Sequence, residues 1–129
     1  MAFRAEYSRL RDILQPGESI LASDLLGGCR EFPNLSRPPV FVVTDLSMYL
    51  LLSGRDKDVF QMEFSDLAGV GRRWLLTREM QLIFKNNYVL NLIYHPRDQL
   101  GRTADLVTER FFGHVVKDTT VGFGQGSSI

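Results

Sequence analysis

The chain has 129 residues, 44% of them apolar and 23% charged, and its fifteen basic side chains are balanced by fifteen acidic ones. That length makes one domain with a single core, the composition excludes a disordered chain, and zero net charge argues against a nucleic-acid module, which carries a basic excess. Cys29 is the only cysteine, which excludes an internal disulfide and a cysteine-rich zinc site. The longest apolar stretch is broken by Thr44-Asp45 and Ser47, so no run reaches the ~18 residues of a membrane span. Met1–Arg11 is charged throughout and lacks the apolar core of a signal peptide. Cytoplasmic residence is the expectation.

In chain order, Phe3, Tyr7, Leu10 and Leu14 fall on one face of a helix over residues 3–14, stopped by Pro16-Gly17. Ser19–Leu26 reads as a first strand, ended by Gly27-Gly28. Cys29–Pro39 is a long loop, since Pro33, Pro38 and Pro39 do not suit a central strand. Val40–Thr44 and Leu46–Leu52 form a tight hairpin in the most apolar part of the sequence, turning at Thr44-Asp45. Ser53–Asp58 is a polar turn and Val59–Phe64 a fourth strand. Leu67–Trp74 is a fifth, in which Gly69 and Gly71 suggest a bend or bulge. Met80–Lys85 and Tyr88–Tyr94 are the sixth and seventh, joined at Asn86-Asn87, where left-handed backbone costs little. After Pro96 the period becomes helical: Leu100, Ala104, Val107, Phe111 and Val115 mark a helix over 97–116. Residues 119–129 are Gly/Ser-rich and read as a flexible tail after a single domain spanning 1–118.

The expected fold is mainly β: seven antiparallel strands curling into an open barrel, capped by the C-terminal helix, with a short N-terminal helix. Three stretches resemble the pleckstrin-homology-like superfamily, in particular the small bacterial PH-like and GRAM-like modules. They are Leu14–Leu21 (L-Q-P-G-E-S-I-L), Val43–Leu50 (V-T-D-L-S-M-Y-L) and Phe64–Val70 (F-S-D-L-A-G-V). The likeness covers about Leu10–Val116, with Ser47 standing where many members carry arginine. It implies a PH-like barrel whose loops after the first, third and sixth strands share one open end. It also implies an interaction module rather than an enzyme, with ring-like homo-oligomers known among similar modules.

Two groups of residues are candidates for contact. Arg72, Arg73 and Trp74 pair two cations with an aromatic at a strand end, the residue types that anchor protein interfaces. Arg30, Arg37, Arg55, Lys57 and Lys85 fall in the three loops that the resemblance brings together, and could hold an anionic lipid headgroup. Glu31, Asp56 and Asp58 share those loops and oppose that field. A third candidate is an open strand edge, which can add a peptide or a second copy. His95 and His114 are too few and too far apart for a metal site, the carboxylates are scattered, and no G-x-S-x-G or phosphate-loop motif occurs. The expectation is a non-enzymatic module without cofactor or metal that binds a protein partner or itself. Its alternative is an anionic-lipid binder peripheral to a membrane.

Overall fold

The computed structural model describes residues 14–35, 37–52, 59–74, 78–95 and 100–121, with the backbone alone for 74 and 113–121. The elements are β1 (Ile20–Leu25), β2 (Gly28–Cys29), β3 (Val40–Thr44), β4 (Ser47–Leu51), β5 (Val59–Glu63), a 3-10 turn (Phe64–Asp66), β6 (Leu67–Trp74), β7 (Arg78–Phe84), β8 (Val89–Tyr94) and α1 (Leu100–Val121). They form two antiparallel four-stranded sheets, ordered β1-β3-β4-β5 and β2-β8-β7-β6. Among the described residues, the sheets do not close into a barrel. The expected helix over 3–14 lies outside the described residues apart from Leu14.

The β3–β4 hairpin centres the first sheet. Thr44 holds its turn: Thr44 Oγ1 accepts from the amides of Leu46 (3.1 Å) and Ser47 (2.9 Å) and donates to the Glu18 carboxylate. Tyr49 donates to the same carboxylate at 2.9 Å, so the approach to β1 is tied to the hairpin. Both strands are buried on both faces. Phe41, Val43, Met48 and Leu50 face the main core, while Val40, Val42, Tyr49 and Leu51 form a second cluster with Leu14 and Val59 against it. Two-sided burial explains an unbroken apolar run where one wet face would have given alternation.

The strands depart from expectation mainly at β2. The expected loop from Cys29 begins with a two-residue strand that pairs with Leu92 and Ile93 of β8. At this corner consecutive amides serve opposite sheets: Leu26 N–H donates to Pro39 O at 2.9 Å, and Gly27 N–H to Ile93 O at 2.7 Å. The chain passes between the sheets a second time from β5 through the 3-10 turn into β6. The register shifts between Leu67 and Gly69, where a bulge was expected near the glycines. β7 starts at Arg78, two residues before the expected sixth strand, because Arg78 and Glu79 pair with Tyr94 and Ile93. Asn87 takes the left-handed conformation expected of the β7–β8 turn, with φ 72°.

Leu100, Ala104 and Val107 of α1 are fully buried, and these i, i+4, i+7 positions seat one helical stripe in the core. Helix α1 packs on β6, the 3-10 turn and β7. It is also pinned to β1, where the buried Asp24 carboxylate accepts from Tyr94 of β8 (2.8 Å) and from Thr103 of α1. The helix runs on through 119–121, the first residues of the expected flexible tail. Among the described residues, no helix is long and apolar enough to cross a membrane.

Candidate functional site

The free edges of the sheets are not equivalent. Helix α1 lies against β6 and reaches β1 through Thr103, and Arg72 on β6 forms an ion pair with Asp105 of α1. Among the described residues, β5 pairs with β4 on one side only. Its other side borders a cleft of about 510 Å³, lined by Phe60, Gln61 and Met62 of β5 together with Phe32, Phe84 and Tyr88 and the polar Asp66, Lys85 and Asn86. Three consecutive β5 residues line it although neighbours on a strand point to opposite faces, so the cleft follows the strand edge.

Aromatic side chains dominate this opening. Phe60 and Tyr88 are 40% and 47% exposed. The Phe32 and Phe60 rings pack tilted with centroids 5.4 Å apart, and Phe84 and Tyr88 do so at 6.3 Å. Exposed aromatics over a cleft of mixed apolar and polar lining form the kind of surface that binding covers. Burial and then the nearby Glu31 carboxylate raise the Tyr88 hydroxyl above its usual range.

Of the five loop cations, the three among the described residues divide between two clefts, Arg30 and Arg37 lining one and Lys85 another. Arg30 turns onto β7 and holds Glu79, a carboxylate only 2% exposed, with Nε at 2.9 and 2.8 Å from its two oxygens. The Glu79 hydrogen bond raises Arg30 further above its usual range. Arg37 is exposed and shares with Arg30 a second cleft of about 540 Å³, walled by Gly27, Pro33, Pro38 and Ile93. Lys85 lines the aromatic cleft, with its amide donating to Asp66 O at 2.9 Å. Arg55 and Lys57 lie outside the described residues. Glu31 is also committed, accepting the Asn91 amide and side chain at 2.8 Å each.

Of the strand-end group, Arg72 is engaged by Asp105, Arg73 is exposed opposite Glu79, and Trp74 is placed by its backbone opposite Arg78. Cys29 is buried, and burial pushes its thiol up to about 12, which suits packing better than nucleophilic chemistry. Among the described residues, no group of His, Cys, Asp and Glu is placed to hold a metal ion.

Phe32, Phe60 and Tyr88 were missed as a group in the sequence reading. The available signal was three aromatics beside polar turns, which becomes a site only when the sheets meet. The sequence matches no known family model and no curated protein.

Proposed function

We propose that this chain is a non-enzymatic interaction module of PH-like architecture that binds a protein partner or another copy of itself. The architectural part rests on strand order: with β1 and β2 taken as one bent strand, seven antiparallel strands precede a C-terminal helix. The single observation that carries the functional part is the open β5 edge beside a cleft rimmed by Phe32, Phe60 and Tyr88. Arg73 and Trp74 at the end of β6 are a second contact region in this reading. Paired Phe60→Ser and Tyr88→Ser substitutions test it. The expected result is a folded protein that loses the self-association, or the bound partner, of the wild type. Association fully retained by the variant would move the site elsewhere. A wild-type protein that neither self-associates nor holds a partner would end the interaction reading.

One observation favours an anionic-headgroup reading as the second choice: Arg30 and Arg37 share a cleft. It calls for salt-sensitive sedimentation with phosphatidylserine vesicles that Arg37→Ala weakens. Vesicle binding indifferent to salt and to Arg37 would dismiss it.

A further inference from the structure

We infer that the occupant of the β5 edge is a second copy of this chain, joined by antiparallel β5–β5 pairing about a two-fold axis at Gln61. The inference rests on the reading of β5 as a contact edge and names its partner.

Three observations lead there. First, among the described residues β5 pairs on one side only; the other edge strands are β2, which has two residues, and β1 and β6, which each make a side-chain contact with α1. Second, the guard expected on such an edge is drawn back. A charged side chain usually protects an edge strand, and Glu63 is the only charge on β5. Its carboxylate accepts from Ser47 Oγ of β4 at 3.2 Å and from Gln61 Nε2 at 3.3 Å, which holds it over its own sheet. β5 contains no proline or lysine.

Third, the strand complements itself. Antiparallel pairing centred on Gln61 sets Phe60 opposite Met62 of the second copy, and Met62 opposite its Phe60. Both pairs lie on the cleft side, where an aromatic and a flexible thioether pack well. On the other face Gln61 meets Gln61, and Val59 meets Glu63, so no like charges oppose each other. A two-fold interface must present one patch to itself, and this register does so. The two four-stranded sheets would become one sheet of eight, and the exposed Phe60 and Tyr88 rings of both copies would flank the seam.

The experiment is disulfide trapping with light scattering on the full chain. Directly opposed antiparallel residues have Cα atoms about 4.5–5.5 Å apart, within the range of about 4.4–6.8 Å that a disulfide spans. Gln61→Cys is therefore expected to give a covalent dimer under mild oxidation, while Arg73→Cys on β6 and Arg102→Cys on α1 do not. The wild type is expected to run as a dimer at about 100 µM protein, a concentration that reveals weak association. Phe60→Lys is expected to run as a monomer with an unchanged circular dichroism spectrum. If Phe60→Lys fails to fold, the Gln61→Cys result decides alone. A strictly monomeric wild type overturns the second copy as occupant and leaves the interaction reading to the Phe60 and Tyr88 variants. A dimer trapped through Arg73→Cys and not Gln61→Cys overturns the β5 seam and keeps self-association.

Discussion

Arg30, just past β2, closes over the carboxylate of Glu79 in β7 across 49 residues of sequence. A cation expected to face an anionic ligand thus serves as counter-ion to a buried acid of its own fold. Arg30 itself is half exposed, but removing it leaves the buried Glu79 charge without this partner, a larger loss than a solvated surface charge gives. Arg30→Ala should lower the melting temperature clearly, Arg37→Ala should barely move it, and adding Glu79→Gln to Arg30→Ala should restore part of the loss. Thermal melts of the four proteins check this. Equal melting temperatures for Arg30→Ala and Arg37→Ala would show that Arg30 is not the counter-ion.

The Asp24 carboxylate joins three elements through the hydroxyls of Tyr94 and Thr103. Taking away one donor leaves a buried acceptor short of a partner, which costs about 1–3 kcal/mol. Tyr94→Phe and Thr103→Val should each destabilise by that amount. The double variant should fall short of their sum, because both hydroxyls serve one oxygen. Urea unfolding measures all three, and strict additivity would mean the hydroxyls act independently.

Alkaline pH should loosen the fold in two steps. Burial, and then the Glu18 carboxylate, pushes the Tyr49 hydroxyl up to about 12, and burial pushes the Cys29 thiol up to about 12. The unfolded chain releases these protons near about 10 and about 8.5. The folded state therefore binds more protons in that window, and stability falls as pH rises. The contribution is complete below the unfolded values and is lost on the way to about 12. Urea midpoints should drop from pH 8 to 11, less steeply in Cys29→Ala, and Tyr49→Phe should flatten the part above pH 10. The native thiol should also resist alkylation until the protein unfolds.

Arg72 and Asp105 tie β6 to α1 at the surface, with the Asp105 side chain 73% exposed. Exposed pairs couple by about 0–1 kcal/mol. A double-mutant cycle with Arg72→Ala and Asp105→Ala should return a coupling at or below that value, and it should fade in high salt. A larger coupling that ignores salt would mark the pair as a structural clamp.

What the sequence made legible was what local chemistry decides. The β3–β4 hairpin stood out as an apolar run split by Thr44-Asp45, and the β7–β8 turn followed from Asn86-Asn87. Leu100, Ala104 and Val107 announced the stripe of α1. What stayed hidden depends on partners far along the chain. β2 is two residues long and exists only because β8 runs beside it, so no local pattern could mark it. Glu79 sits just before the expected sixth strand, and the Arg30 that covers it arrives from the end of β2, two strands away in the same sheet and 49 residues earlier. Phe32, Phe60 and Tyr88 are unremarkable where they stand. They become neighbours once both sheets close, which is why the cations were legible as candidates and the aromatic cleft was not.

The corner at Leu26 and Gly27 also governs how the molecule can come apart. Two successive amides are held by carbonyls of different sheets, so this point cannot open by fraying one hairpin. Opening the whole corner breaks one hydrogen bond toward each sheet. These two amides should therefore exchange with deuterium among the slowest in the chain, at the rate of global opening rather than local breathing. Exchange at that rate would mark the two halves of the fold as a single cooperative unit.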